Sequence, residues 1–412
     1  MEKKISGSKI LSNEQFEWAI VLFCQCIFIG LVCSRALASI GMIALIILSL
    51  LYNGRETFKI YFQSKELWVL SLFFWIVLFS GINSADKHEW LNWVRIKLPY
   101  LFLPLAFAPI KKLNDKKFIT LLYGFILTLW VSAAIILGRY FSNYETITDS
   151  FLKGSAIPIH YSHIRYTLML AFSFFCAVYL LEKRYYLFHK SEKWLQVLYT
   201  LFAFAALHIL TVRSGLLALY LGLVCLAFKW FWQKRFLLGT LIILLVGVLP
   251  FGAYRFVPSF HNKVSYMQYD LGQYQKGAIN ENSDAMRIVS MKIGYELWKS
   301  NPWFGVGAGD LEAETNNIYE CEYPDISPNN RRVPHNQFIW VLASTGIIGF
   351  VLFLTAFFVP LFSKGYYNQW PVVVLYVLLF ASFFGEDTFE EQIGTGFYLI
   401  FLLILMNYFK RE

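Results

Sequence analysis

Three side chains in the 412-residue sequence have types and positions that favour chemistry on a phosphate group. Arg213 stands alone between two apolar stretches, Arg287 lies early in a predicted polar helix, and His335 precedes another apolar stretch. A guanidinium makes paired hydrogen bonds to phosphate oxygens, and a neutral imidazole accepts a proton from a hydroxyl near neutral pH. A purely structural explanation also exists for each: a snorkelling arginine, a solvated charge and an interfacial histidine.

The elements that must position these side chains are membrane helices. Apolar residues make up 57% of the chain and charged residues 15%, whereas an ordinary soluble domain has about 45–50% and about 25%. A bilayer span needs about 20 mostly apolar residues. The candidate spans are 17–34, 36–52, 66–82, 98–110, 118–140, 163–181, 194–210, 214–232, 236–256, 336–361, 371–385 and 393–409. This pattern predicts an all-α, polytopic integral membrane protein with about 12 transmembrane helices, and it excludes a soluble or disordered chain.

The lysines and arginines between the spans predict the orientation. With a cytoplasmic N-terminus, 20 of them lie in cytoplasmic segments and 7 in short outer loops, which is the bias expected of a membrane protein. Both termini are therefore expected in the cytoplasm. The net charge of +9 reflects this topology, so we expect membrane lipids as partners and no nucleic acid. The predicted division is helices 1–9 in residues 1–256, a periplasmic loop domain in 257–335, and helices 10–12 in 336–412.

The long outer loop contains one predicted helix. Ser283 is a suitable N-cap, Asp284 favours the positive helix start, and Asn301-Pro302 ends it. The apolar residues at helical spacing are Ile288, Met291, Tyr295 and Trp298. The glycine-rich stretch 305–310 follows no strand and opens no helix, so it predicts a flexible turn rather than a nucleotide site.

The loop lengths restrict where a reaction can occur. The cytoplasmic loops are too short for an ATP-binding domain, and the sequence has no P-loop. Any chemistry is therefore expected on the outer face with a donor that arrives already activated. In bacteria such a donor is usually a glycan on a polyprenyl pyrophosphate. No Asp-x-Asp motif is present, so we expect neither a metal nor another cofactor, because two guanidiniums can neutralise a leaving pyrophosphate.

Four sequence elements, in order along 211–409, resemble those of the O-antigen ligase and polymerase superfamily. They are Thr211-Val212-Arg213-Ser214-Gly215, Asn301-Pro302-Trp303-Phe304-Gly305-Val306-Gly307 after a helix bearing an early arginine, His335-Asn336-Gln337-Phe338 with Gly346 and Gly349, and Glu386-Asp387-Thr388-Phe389-Glu390-Glu391-Gln392-Ile393-Gly394. The first 200 residues match only in hydropathy. The elements do not separate ligases from polymerases.

The resemblance implies a GT-C-like fold with a periplasmic lid between the ninth and tenth spans. It also implies a lipid-linked glycan donor and a metal-independent, inverting transfer. Arg213 and Arg287 would bind the pyrophosphate, and His335 would assist the acceptor hydroxyl. The further candidates for substrate binding are Asn336 beside His335, His160 and Arg165 at the outer start of the sixth span, and Glu386 near the C-terminus. An interfacial anchor cluster and a solvated turn are the structural alternatives for the last two groups.

The predicted function is that of an inner-membrane glycosyltransferase with its active site facing the periplasm. It would move a glycan from undecaprenyl pyrophosphate to the lipid A–core, as an O-antigen ligase does, since the chain has one large outer loop. The alternatives are an O-antigen or capsular polysaccharide polymerase and, third, a protein O-oligosaccharyltransferase. A solute transporter is the alternative from another class, but the sequence shows no internal repeat and few ionisable residues within the spans.

Overall fold

A computed structural model describes residues 12–150, 157–159, 162–276 and 284–410 of the protein. Throughout these residues the regular structure is helical and no strand occurs, as predicted. The helices are α1 (Asn13–Cys33), α2 (Arg35–Gln63), α3 (Lys65–Trp68), α4 (Leu72–Ser80), α5 (Lys87–Phe107), α6 (Asp115–Ser142), α7 (Tyr144–Ser150), α8 (His163–Lys183), α9 (Glu192–Leu210), α10 (Arg213–Trp232), α11 (Phe236–Phe256), α12 (Pro258–Gln275), α13 (Asp284–Ser300), α14 (Leu311–Glu322), α15 (Gln337–Phe362), α16 (Trp370–Phe383) and α17 (Gln392–Phe409).

Nine helices within the described residues are long and apolar enough to cross a membrane: α1, α2, α6, α8, α9, α10, α11, α15 and α17. This confirms an all-α polytopic membrane protein. Judged by length and composition, the described residues therefore contain fewer spans than the predicted number of about 12. The predicted span 66–82 is divided among α3, a 3₁₀ turn and α4, and α16 has only 14 residues. The predicted span 98–110 is the second half of α5, which contains Pro99 and Pro104.

Helices α8 and α17 form the centre of the bundle. Their apolar residues are buried on nearly all sides, as expected for helices surrounded by other helices. Aromatic rings connect the two helices to their neighbours. Phe401 of α17 stacks on Phe28 of α1 at 4.9 Å between ring centroids and contacts Phe125 of α6 at 4.3 Å. Because α8 and α17 are held rigidly, the residues at their N-terminal ends have defined positions.

Helix α13 ends at Ser300, just before Asn301-Pro302, as the sequence predicts. The predicted N-cap Ser283 lies outside the described residues. The predicted apolar stripe is wrong, since Tyr295 is exposed. The buried face consists of Ala285, Met286, Val289, Ile293 and Leu297. Both stripes have helical spacing. The face that contains Gly294 is the buried one, because only a residue without a Cβ allows close contact here: a Cβ would lie 2.5 Å from Pro334 Cγ.

The stretch 305–310 is not the flexible turn that we expected, because hydrogen bonds fix both of its ends. The backbone N–H groups of Val306 and Gly307 donate to Ala343 and Ser344 of α15 at 2.9 and 3.0 Å. At the other end, the Asp310 carboxylate accepts hydrogen bonds of 2.7 and 2.8 Å from the backbone N–H groups of residues 85 and 86.

Helix α15 is broken where this stretch contacts it. Gly346 has φ 66° and ψ −169°, a conformation that is essentially restricted to glycine. The next N–H group, that of Ile347, donates to the carbonyl of Pro302 at 2.9 Å. Irregular backbone at membrane depth is tolerated where protein groups satisfy its hydrogen bonds. The break and the stretch after α13 therefore form one unit that attaches the outer loop to the bundle.

We expect the substitution Gly346→Ala to destabilise the protein by about 2 kcal/mol or more, because an alanine is strained at this φ and its Cβ would lie 2.2 Å from the Trp303 carbonyl carbon. Thermal unfolding in detergent measures the effect. The matched control is Gly247→Ala in α11, where a Cβ meets no atom within 4 Å. Equal stability of the two variants would contradict the assigned role of Gly346.

Candidate active site

Arg213 and Arg287 lie close together, although they come from different parts of the chain. Arg213 is the first residue of α10, after a sharp turn in which Thr211 has a φ of 54°. Arg287 is in the first turn of α13. Both contact Asp284: Arg213 makes two hydrogen bonds of 2.7 Å to its carboxylate, and Arg287 lies 3.9 Å from it. Asp284 therefore fixes the spacing of the two guanidiniums.

These arginines line a cavity of about 520 Å³, here called the first cavity. Four basic side chains (Arg213, Lys263, Arg287 and Arg332) and two carboxylates (Asp284 and Glu386) contribute to its lining. The basic groups exceed the acidic ones by two, so the cavity favours a doubly charged anion. Burial, together with repulsion from Arg213, lowers the pKa of Lys263 to about 8.

Two adjacent carboxylates link Arg287 to His335. Glu386 accepts a 3.0 Å hydrogen bond from Arg287, and Asp387 lies 3.8 Å from Nδ1 of His335. Burial raises the pKa of Glu386, against the opposing charge of Arg287. Burial acts in the same direction on Asp387, but His335 and Arg165 outweigh it and hold the pKa of Asp387 below its ordinary value. The carboxylate of Asp387 is thus kept ionised beside the imidazole.

His335 lines a second, smaller cavity of about 320 Å³ and not the first. Its Nε2 lies 3.5 Å from the Arg332 guanidinium. Arg332 lines both cavities and therefore lies where they meet. Because a guanidinium can only donate, Nε2 of His335 must be the accepting nitrogen in this contact, which leaves the ring proton on Nδ1, toward Asp387.

Buried cations and an amide hold the segment that carries these carboxylates. Lys97 of α5 lies 2.8 Å from Glu390 and donates to the Phe389 carbonyl at 2.7 Å. Gln337 donates to Glu390 at 2.6 Å and accepts from the backbone N–H of Phe389 at 2.8 Å. Residues 386–391 are therefore held by side chains from distant parts of the sequence.

Arg165 and Asn336, both predicted to bind substrate, make contacts with other groups of the protein. Arg165 is buried, lies 3.0 Å from Glu391 and 3.5 Å from Asp387, and lines neither cavity. Asn336 caps α15 by accepting hydrogen bonds of 3.0 and 3.1 Å from two backbone N–H groups. These contacts are of a kind that positions neighbouring groups, and substrate binding by either side chain stays a prediction. His160, the other predicted substrate-binding residue, lies outside the described residues.

Sequence reasoning did not identify Asp284, Lys263 or Arg332 as site residues. Asp284 was interpreted only as a favourable helix start, and Arg332 belongs to a basic pair that resembles any solvated loop. In the sequence, Asp387 stands out only as the neighbour of Glu386 in the last of the four elements. Asp284, Lys263 and Asp387 acquire their significance from neighbours that are distant in the chain, and Arg332 acquires it from lining both cavities. The local sequence contains no signal for either.

One group of described residues has the side chains and spacing to hold a metal ion: ligand atoms of His335, Glu386 and Asp387 lie within 4.8 Å of one another. The chemistry of the group argues against this use. Glu386 already pairs with Arg287, and Asp387 lies beside Arg165. Guanidiniums thus already provide the positive charge that these carboxylates need.

Comparison with protein families gives a match that includes most of this site. Residues 198–354 match the family model described as O-antigen ligase. This match supports the O-antigen ligase superfamily for that part of the chain. A search of curated proteins found no significant match.

The matched segment contains Arg213, Arg287 and His335, whereas the carboxylates at 386–391 lie beyond it. The resemblance deduced from the four sequence elements is thereby confirmed. The family and the apolar helices together indicate a bacterial membrane protein that is a ligase or polymerase of this superfamily.

Proposed function

We propose that the protein is an inner-membrane glycosyltransferase that moves a glycan from undecaprenyl pyrophosphate to an acceptor hydroxyl on the periplasmic face. Ligation of O-antigen to lipid A–core is the preferred reaction. The observation that carries the proposal is the convergence of Arg213, Arg287 and Arg332 on one cavity, beside His335. The diphosphate of such a donor carries two negative charges, which equals the excess of basic groups in the first cavity.

The surroundings of the first cavity suit the lipid part of this donor. An apolar cavity of about 430 Å³ between α10, α15 and α16 shares Leu217, Ala381 and Phe384 with the first cavity. The remainder of its lining is also apolar or aromatic. A polyprenyl chain in this groove would hold its diphosphate among the basic side chains.

The proposed reaction is a displacement at the anomeric carbon of the donor sugar. With Arg332 turned to the bound substrate, Nε2 of His335 is free to accept the proton of the acceptor hydroxyl, and the hydroxyl oxygen forms the new bond to that carbon. The bond from carbon to the phosphate oxygen breaks, and its electron pair leaves with the pyrophosphate. The basic side chains of the first cavity stabilise the charge that develops on the leaving group. Asp387 orients the imidazole and stabilises its protonated form.

We expect Arg213→Gln and Arg287→Gln, each alone, to reduce glycan transfer by at least about 100-fold, because each removes a cation from the leaving group. The measurement is lipopolysaccharide profiling of a deletion strain that expresses each variant at the wild-type level. The matched control is Arg255→Gln, since Arg255 is exposed near the end of α11 and lines neither cavity.

The same strain distinguishes the candidate functions. Free core with accumulated lipid-linked polymer identifies a ligase, and core that carries a single repeat identifies a polymerase. Normal lipopolysaccharide in the deletion strain would exclude both and would leave a protein O-oligosaccharyltransferase or a transporter.

The donor KM of the wild-type protein should rise about fivefold between pH 7 and pH 9. Below its pKa of about 8 Lys263 is protonated and attracts the diphosphate, and above it this charge is lost. Transfer kinetics in nanodiscs, with donor and acceptor varied separately, measure the effect. Lys263→Arg should abolish the rise, because arginine remains charged. The same rise in the arginine variant would exclude Lys263 as its origin.

Treatment with EDTA should leave the transfer rate of the purified protein unchanged. The reason is that Arg287 and Arg165 already contact the carboxylates of the His335–Glu386–Asp387 group. A metal-dependent glycosyltransferase assayed in parallel verifies that the chelation is complete. Loss of activity that is restored by a divalent cation would show that this group binds a metal.

A further inference from the structure

The second cavity lies beside His335, and the proposed reaction does not account for its lining. It is formed by Trp93 of α5, by Glu312, Thr315 and Asn316 of α14, and by Arg331, Arg332, Val333 and His335 before α15. An aromatic face, a carboxylate, an amide and guanidiniums are the groups that contact sugar rings and their substituents. The position next to His335 is where an acceptor hydroxyl must be placed.

Besides Nδ1 of His335, which faces Asp387 at 3.8 Å, two buried N–H groups of this lining lack a hydrogen-bond partner among the described residues: Nε1 of Trp93 and Nε of Arg331. The Arg331 side chain is only 10% exposed. Buried donors in proteins are almost always paired, and an unpaired one requires an explanation. Both donors belong to cavity-lining side chains, so oxygen atoms of a bound molecule would satisfy them.

The charge of the lining indicates which oxygen atoms these are. Arg332 has no carboxylate within 4.0 Å in the described part of the chain, and its guanidinium contacts the His335 ring. Arg331 is paired through one nitrogen, at 2.8 Å, with Glu320, which is 64% exposed. The diphosphate in the first cavity would share Arg332, so the cation specific to the second cavity is Arg331, and its ion pair with the exposed Glu320 is weak. An oxyanion would both accept a hydrogen bond from the buried Nε of Arg331 and compensate the charge of this guanidinium, whereas a hydroxyl group would do only the first.

We propose that the second cavity binds the acceptor sugar through a negatively charged substituent, a carboxylate or a phosphate, held by Arg331 and Arg332. The ring of this sugar would lie against Trp93, with its hydroxyls toward Asn316 and Glu312. The inference rests on the proposed function, because it assigns the substrate class of the acceptor in that reaction. Arg331 acts here as a specificity-determining residue.

The test compares three forms of one acceptor glycolipid: untreated, phosphatase-treated and carboxyl-reduced. Transfer by the wild-type protein in nanodiscs is measured with acceptor and donor varied separately. We expect one of the two treatments to raise the acceptor KM about tenfold, with the donor KM unchanged. The treatment that does so identifies the substituent.

Variants connect this effect to the cavity. Arg331→Gln should raise the KM for the untreated acceptor about tenfold. The KM of this variant should then no longer change with the effective treatment. Trp93→Phe keeps an aromatic ring but removes the indole N–H, so it should raise the acceptor KM several-fold with all three forms. The control is Lys299→Gln, an exposed residue of α13 in the same loop, which should leave both KM values unchanged.

The inference is overturned if neither treatment changes the acceptor KM of the wild type, or if Arg331→Gln responds to treatment as the wild type does. If thermal unfolding shows that Arg331→Gln does not fold, the comparison of the three acceptors with the wild type and the Trp93→Phe variant still tests the inference. Complete absence of transfer to every acceptor would refute the proposed function itself, and this outcome is distinct from transfer without a change in KM.

Discussion

The structure of the active-site region depends on one constraint: carboxylates buried between helices must be paired with cations. Glu386, Asp387 and Glu390 lie in a short segment where burial opposes ionisation, and an unpaired charge in such a place is very costly. The partners are Arg287, Arg165 and Lys97, from the outer loop, α8 and α5. Folding therefore brings three distant parts of the chain to one point, and His335 is placed beside the same carboxylates.

A second constraint fixes the outer loop relative to this point. Helix α13 carries Arg287 and packs on α15, and the stretch after it is hydrogen-bonded to the break at Gly346. Asp310 then binds the backbone before α5. The loop is thus attached on both sides of its arginine, so Arg287 cannot move far from Arg213 and Glu386. A leaving group is stabilised well only by charges held in position before the reaction.

Hydropathy predicted the membrane spans well because every backbone N–H and C=O group in lipid must be hydrogen-bonded within a helix. A helix that crosses the lipid in this way needs a long apolar run of sequence. Hydropathy failed at residues 66–82 and 371–385, where shorter helices occur. The two arginines and the histidine were predicted from residue type and topological place. The role of Asp284 as a bridge, the break at Gly346 and the position of Arg332 between two cavities were not predicted. These features depend on contacts between residues far apart in the chain, whereas sequence periodicity reports only on neighbours.

The arrangement of the two cavities bears on the stereochemistry of the proposed transfer. A direct displacement at an anomeric carbon requires the incoming oxygen and the leaving oxygen on opposite faces of that carbon, and it inverts the configuration. The first cavity holds the basic groups suited to the leaving pyrophosphate, and the second holds His335. Arg332 lies between them and contacts the imidazole. A donor sugar near Arg332 would thus have its leaving group in one cavity and the acceptor hydroxyl in the other, which favours single-step inversion over a covalent intermediate.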